Sequence, residues 1–300
     1  SGALGGEVRS LLVTGTSTVD TTKCDAVKAC TTCAPTSQPD GLIYNGTAYI
    51  GDGAYNTSGT GQTYAQPVAP GATAAYRVYF YNDGNVSQRL WILGTPGNSE
   101  WTVQYIDYST GTDITSAVDA DGWHTPSLAP GAGRRIEVLL TPRASTAVGT
   151  ALTVALTGVS TVGPTKCDAV KAITTCALTR KPDGMIHNGT AYLGDEVFNT
   201  NGAGQTHSRT TSPRIAAAYL ARFYNDGNAA DSVKVIGTKG NSAWQVKYID
   251  YSTGTDITAA VTGTGWTTPS LAAMGYRAVR MQVTPLSGAA GNSSFSALLK

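Results

Sequence analysis

The sequence predicts an all-β chain built as two antiparallel β-sandwiches in tandem, and three observations carry that expectation. The first is a repeat. TKCDAVKA stands at Thr22–Ala29 and again at Thr165–Ala172, an offset of 143 residues. The same offset takes YIDYSTGTDIT from Tyr105–Thr115 to Tyr248–Thr258, FYNDGN from Phe80–Asn85 to Phe223–Asn228, and Trp101 and Trp123 to Trp244 and Trp266. That period is too long for a solenoid repeat and long enough for a domain. The second is patterning: seven or more short apolar segments per repeat, several alternating with period two, are separated by turn residues. The third is composition. The chain has 35 Gly, and 15 Tyr against 4 Phe, which suits many short strands whose rings pack while their hydroxyls stay wet. No amphipathic helix is long enough to hold by itself.

In order, Val8–Val13 opens a strand, GTSTVDTT turns it, and KCDAVKACTT follows. Ala34–Asp40 (APTSQPD) reads as a linker from its Pro and Ser content, and its counterpart is Ala177–Asp183 (ALTRKPD). GLIYNGTAYIG is a strand bent at Asn45-Gly46, and Asp52–Gln62 is a loop. Ala74–Tyr81 is the clearest strand, with Tyr76, Val78 and Phe80 on one face. Asn82-Asp83-Gly84-Asn85 turns it, because these residues tolerate positive φ. Strands follow at Ser87–Leu93, Trp101–Tyr108, Trp123–Leu128, Arg135–Thr141, Ala151–Ser160 and Lys166–Thr174. The second repeat retraces this order from Gly184 to Lys300.

The register is circular. Lys300 falls on the equivalent of Thr157, so the second repeat stops short of the segment equivalent to Gly158–Cys176. A near-copy of that segment stands at the other end, as Gly15–Cys33. A sandwich lacking an edge strand exposes unpaired backbone groups and an open apolar groove. Three outcomes are consistent with this layout: the leading segment fills the groove of a neighbouring copy, it closes on its own chain, or the chain is a piece of a longer tandem array. Filling in trans is the reading carried forward. It divides the chain into a donor segment (1–33), a first sandwich (34–176) and a second lacking its last strand (177–300). Thr22–Thr32 is the expected inserted strand, through Lys23, Cys24, Asp25, Ala26, Val27, Lys28, Ala29, Cys30 and Thr31, with Val27, Ala29 and either Ala26 or Cys30 entering the groove. The acceptor edge is expected at Tyr276, Val279, Met281, Val283, Phe295, Ala297 and Leu298. Ser10–Val19 would extend the sheet or pack outside it, since SSFSALLK at the other end already competes for the position of Ala151–Gly158.

PGATAAYRVYFYNDGN, the later Gly-Trp…SLAPG segment, RIEVLLTP and ALTVALTGVS together resemble the Ig-like conserved-repeat domains found in tandem on prokaryotic surface proteins. The resemblance covers residues 41–176 and 184–300. It implies Ig-like sandwiches whose last two strands form a hairpin, here Ala151–Ser160 and Lys166–Thr174, and the second copy departs from the family in lacking its final strand. The layout also resembles donor-strand pilins in its logic, though not in sequence. Together these imply a non-enzymatic structural subunit of an extracellular, pilus-like filament whose partners are copies of itself. The rivals are a monomeric carbohydrate-binding or adhesive module of the cell surface, and a fragment of a surface-layer or stalk array.

Other chemistry is thinly marked. Net charge is +1 and charged residues are 14% of the chain, below the roughly 25% usual for soluble proteins, so nothing favours nucleic acid or an anionic membrane. No apolar run approaches the roughly 20 residues of a membrane span. Cys24 and Cys33 map onto Cys167 and Cys176, and this repeated spacing predicts Cys24–Cys33 and Cys167–Cys176 disulfides in an oxidising compartment, with Cys30 left over. Each bridge requires the chain between to fold back: nine extended steps span about 30 Å, while bridged Cα atoms lie within about 7 Å. Asn45-Gly-Thr and Asn188-Gly-Thr are sequons that recur with the repeat. Asp52, Asp83, Asp113, Asp121, Asp226 and Asp256 stand in loops but form no calcium-loop motif, and read as turn chemistry. His124, His187 and His207 map onto Thr267, Tyr44 and Tyr64, which argues against a chemical role. Asp107 and Asp250 are the one carboxylate pair whose repetition leaves a glycosidase reading open. No catalytic site, metal or cofactor is expected. Repeated Trp reads as core, whereas an exposed Tyr/Trp strip would favour sugar binding.

Overall fold

A computed structural model describes residues 2–300, which divide into two compact units with the boundary between Ala177 and Leu178. The chain is almost entirely β.

The first unit begins with β1 (Val8–Thr16) and β2 (Cys24–Thr32), which pair only with each other. The strands β3 (Pro39–Tyr44), β4 (Tyr49–Ile50), β5 (Thr63–Val68), β6 (Ala74–Asn82), β7 (Leu90–Gly94), β8 (Trp101–Asp107) and β9 (Thr112–Asp113) follow. The short helix α1 (Thr115–Asp119) precedes β10 (Trp123–His124), β11 (Gly133–Pro142), β12 (Ala151–Ser160) and β13 (Cys167–Cys176). One sheet runs β4-β3-β6-β11-β8-β9 and the other β10-β7-β12-β13-β5. Period-two alternation builds the core between them. Tyr76, Val78 and Phe80 of β6 and Ile136, Val138 and Leu140 of β11 face Val154, Leu156, Val170 and Ala172 of the β12–β13 hairpin. Every pairing is antiparallel except β5 against β13, which is parallel.

The second unit repeats the first of these sheets. It contains β14 (Pro182–His187), β15 (Tyr192–Leu193), β16 (Ala217–Asn225), β17 (Lys234–Val235), β18 (Trp244–Asp250), α2 (Thr258–Val261), β19 (Trp266–Thr267) and β20 (Tyr276–Pro285). The order β15-β14-β16-β20-β18 matches its counterpart, but the opposing sheet is reduced to β17-β19.

The Asn-Gly turns behave as read. Gly46 and Gly189 take φ of 97° and 108°, joining β3 to β4 and β14 to β15. Asn45 Oδ1 accepts hydrogen bonds from the Thr47 and Ala48 amides, at 3.0 and 2.9 Å, and Asn188 does the same for Thr190 and Ala191, both at 2.9 Å. The Pro-rich linkers are shorter than expected, since Pro39 and Pro182 already begin strands.

The disulfide expectation is overturned. Cys24, Cys30, Cys33 and Cys167 carry free thiols. Cys167 and Cys176 stand at opposite ends of the straight strand β13, and Cys24 and Cys33 are separated by the length of β2. The fold-back a bridge requires does not occur, because the intervening residues are committed to strand pairing. Cys176 instead is buried, its thiol donating to the Thr146 carbonyl at 3.4 Å.

Candidate assembly interface

The leading segment is a hairpin, not the single inserted strand Thr22–Thr32. Ser10–Thr16 is its other half. Its register runs from Val8↔Thr32 to Thr16↔Cys24, and the 143-residue offset turns this into Ala151↔Thr175 through Val159↔Cys167, the register of β12–β13. Its turn is internally closed: Asp20 Oδ1 accepts from the Thr22 amide (3.0 Å) and hydroxyl (2.6 Å). Those bonds hold the Asp20 carboxyl below its ordinary pKa. Its root is pinned to the β6–β7 turn by the Gly5 amide donating to the Asn85 carbonyl (2.9 Å) and the Thr36 amide donating to Asn85 Oδ1 (2.7 Å).

Every residue of β1 and β2 is exposed, and the two strands pair only with each other. One face is apolar. Leu11 and Val13 lie beside Ala29 and Val27, with Leu11 and Val27 each 67% exposed and Val13 55%. Their equivalents Val154, Leu156 and Val170 are each 1% exposed. A lone two-stranded hairpin is marginal in water. Covering these three side chains is worth roughly 1.5–3 kcal/mol apiece before the costs of association are subtracted.

In the first unit β13 is bonded at three levels. Asp168, fully buried, accepts from the Gly41 amide (2.7 Å), the Asn56 amide (2.8 Å) and Gln62 Nε2 (2.6 Å). Burial raises the Asp168 pKa, and these bonds partly oppose the rise. The backbone adds the Ala169 amide to the Asn56 carbonyl (2.8 Å) and the Lys171 amide to the Gln62 carbonyl (2.9 Å). Further along, the Tyr76 hydroxyl donates to the Ile173 carbonyl at 2.6 Å. The core-facing side chains of β13 are Asp168, Val170, Ala172, Thr174 and Cys176; Ala169 is buried on the other face of the strand, and Ile173 is half-exposed.

The second unit carries the receiving groups without the strand. Gly184, Asn199, Gln205 and Tyr219 are the counterparts of Gly41, Asn56, Gln62 and Tyr76. Residues 206–211, equivalent to β5, form no strand. Gln205 Nε2 has turned to the Val197 carbonyl. The last residues fill part of the β12 position. The Ile236 amide donates to the Lys300 carbonyl (2.7 Å), the Lys300 amide to the Ile236 carbonyl (2.8 Å), and the Thr238 amide to the Leu298 carbonyl (2.9 Å). Phe295, Ala297 and Leu299 are only partly buried against the core, and Phe295 stacks on Trp244.

The β20 residues expected at an acceptor edge are not at an edge. Tyr276, Val279, Met281 and Val283 belong to β20, which is paired on both sides, by β16 and β18. Val279, Met281 and Val283 are the floor of the core, not an edge. In the first unit the β12–β13 hairpin belongs to the sheet that faces β11, the counterpart of β20. The sequence reading missed Gln62, Asn56 and Asp168, and through them Gln205 and Asn199, and it named Asp25 only as one residue of the expected strand. Their repetition at one offset was the available signal.

The remaining polar candidates are structural. Asp107 and Asp250 pair with Arg134 and Arg277, one pair in each unit, and each caps its own turn through Thr110 or Thr253. Although burial opposes it, the bonds from Arg277, Thr253 and Ser252 hold Asp250 below its ordinary pKa. Asp113 and Asp256 accept from the Thr115 and Thr258 amides, each at 2.9 Å. Asp52 accepts from the Tyr81 hydroxyl at 2.6 Å and Asp83 from Tyr55. His124 stacks on Trp91, while His187 meets Tyr192 and His207 meets Tyr219 edge to face. Among the described residues, no group of three or more His, Cys, Asp and Glu side chains converges as a metal site. Trp101 is core, whereas Trp123, Trp244 and Trp266 are half-buried. In the first unit Tyr44, Tyr49 and Tyr79 follow one another at ring separations of 5.4 and 6.2 Å. Arg135 lies over Tyr79, 5.7 Å from its centroid. Among the described residues, no helix is long and apolar enough to cross a membrane.

No protein-family model matches the chain, and no curated protein does. Among solved structures it is similar to the secreted serine protease VesC from Vibrio cholerae, with 13% identity and TM-score 0.26 over 79% of this chain and 48% of that one. It spans about half of that protein. It is also similar to the CsuC-CsuE chaperone–tip adhesion subunit pre-assembly complex of Acinetobacter baumannii Csu pili (10%, 0.38, 79% and 96%). A third is BcpA, the major pilin subunit of Bacillus cereus, in its D312A form (8%, 0.35, 86% and 73%). All three TM-scores are below 0.5, and these likenesses carry no role across to this chain.

Proposed function

We propose that this chain is a structural subunit of an extracellular filament, joined head to tail when the β1–β2 hairpin of one copy completes the second unit of the next. One observation carries the reading: the apolar face that β12–β13 buries in the first unit is bare on β1–β2, and the second unit has no such hairpin among residues 178–300. A preformed donor in the right register lowers the ordering cost of docking, and strand addition to an open sheet is a recurrent mode of recognition. A donor on one unit and an acceptor on another make a heterologous contact, which propagates into a fibre when it does not close into a ring.

Residues 298–300 occupy part of the place that β1 would take, so an intact hairpin displaces them. Leu11 and Val13 then replace Ala297 and Leu299 by register. Of the expected donor residues, Asp25, Val27, Ala29 and Thr31 would face inward, together with Cys33, whereas Lys23, Cys24, Ala26, Lys28 and Cys30 would not. The test is deletion of residues 1–33, followed by electron microscopy and sedimentation. Loss of polymer with the first unit still folded supports the reading; long fibres from the truncated chain overturn it.

The second reading is a monomeric module binding surface glycans at the Tyr44–Tyr49–Tyr79 strip, favoured by the ring spacing and the Arg135 contact. A monomeric wild-type chain that binds glycan arrays would select it. A surface-layer or stalk array is recognised by mass spectrometry of native material extending beyond the present residues. The sequons at Asn45 and Asn188 stand on the β3–β4 and β14–β15 turns and are the candidate glycosylation positions.

A further inference from the structure

We infer that Asp25 sets the register and partner choice of the joint, by seating its carboxylate among the Gly184 amide, the Asn199 amide and Gln205 Nε2 of a second copy. This rests on the hairpin reading and deepens it.

The argument starts from Asp168. A carboxylate without solvent contact is unfavourable unless its oxygens are bonded, and Asp168 has three donors within 2.8 Å. Two are main-chain amides, fixed in place by β3 and by the loop preceding β5. The third is a side chain held in turn by Asn56, whose Nδ2 donates to Gln62 Oε1 at 3.1 Å. A one-residue slip of β13 would put Cys167 or Ala169 among these donors and leave all three unsatisfied. The site is therefore a register lock, as well as a contact.

All four residues recur at the offset. Asp25 corresponds to Asp168, Gly184 to Gly41, Asn199 to Asn56 and Gln205 to Gln62. On the donor side Asp25 is exposed, and its Oδ1 accepts only from the next amide, that of Ala26 at 2.8 Å. On the acceptor side the loop keeps its shape. Asn199 Nδ2 donates to the Ala203 carbonyl at 2.9 Å, as Asn56 Nδ2 donates to Thr60 at 3.0 Å. Gln205 differs: its Nε2 donates to the Val197 carbonyl and, at 3.4 Å, to the Gly194 carbonyl. Docking requires that amide to swing back onto the incoming carboxylate. An apolar hairpin lacking Asp25 would bury three donors without a partner, so this seat also rejects unrelated apolar strands.

The experiment measures self-association of the full chain by sedimentation velocity and light scattering, with circular dichroism confirming the fold. Asp25→Ala is expected to weaken association about ten- to hundred-fold, and Gln205→Ala less. The double variant should lose less than the sum of the two, because the partners touch. Val27→Asp is the separate control on the hairpin itself. If Val27→Asp abolishes association while Asp25→Ala leaves it unchanged, or if the two losses at Asp25 and Gln205 simply add, the seat is wrong and the hairpin reading stands. If Val27→Asp has no effect, or the wild-type chain does not associate, the hairpin reading falls and the seat with it. Asp25 lies in an exposed hairpin, so its replacement leaves both units folded.

Discussion

The hairpins β12–β13 and β1–β2 share a register and much of a sequence, yet the first buries one face in the core and every residue of the second is exposed. Val170 and Val27 sit in the same octapeptide. Val170 packs against Phe80 and Gly41 within a closed sandwich, and Val27 faces solvent. The difference teaches that a strand sequence specifies a face and a register, but whether the face is buried depends on what stands opposite. The second unit makes the same point from the other side. Its β14–β16–β20–β18 sheet forms as in the first unit, while the facing sheet shrinks to two short strands and residues 206–211 form none. A strand such as β5 exists because β13 lies beside it.

The comparison breaks most sharply under one substitution made in both hairpins. Val170→Asp places an unpaired charge in a dry core and should cost the first unit about 3–5 kcal/mol, lowering its thermal midpoint by many degrees in calorimetry. Val27→Asp should leave the midpoint of the monomer unchanged and abolish the polymer. Equal effects on monomer stability would mean that the leading hairpin is already packed within its own chain.

A smaller effect comes from finishing the second unit. Extending Lys300 with a copy of Gly158–Cys176 should raise the melting temperature of residues 178–300 and suppress polymerisation, as read by calorimetry and microscopy. Fibres persisting in this self-completed chain would show that the open groove is not the acceptor.

Next is the buried carboxyl. Burial raises the pKa of Asp168 and of Asp40 in the folded first unit. The folded state thus holds more protons than the unfolded one just above the ordinary Asp value of about 3.9. That contribution to stability is complete below the ordinary value and is lost as pH rises through the raised one. The stability advantage of wild type over Asp168→Asn should therefore shrink as pH rises from about 4, measured by urea unfolding of the first unit. An advantage that grew with pH would indicate a carboxylate whose three hydrogen bonds outweigh its burial.

The smallest expected change is at Cys30, whose equivalent Ile173 points outward. Cys30→Ser should leave both polymer and stability within about 0.5 kcal/mol of wild type. A large loss would place Cys30 in the groove.

The sequence by itself determined the repeat, the strand faces and the turns, because period-two alternation and Asn-Gly or Asp-Gly chemistry act over a few residues. Tyr76–Phe80 and the bend at Gly46 were legible for that reason. What tertiary structure decided was partnership. Only the assembled sheets showed that Ser10–Thr16 belongs with Cys24–Thr32 as a hairpin, that β20 is interior, and that the cysteines stand too far apart along straight strands to bridge. Those outcomes depend on which edges meet across the fold. Backbone hydrogen bonding is satisfied by neighbours far away in sequence, and local pattern does not name them.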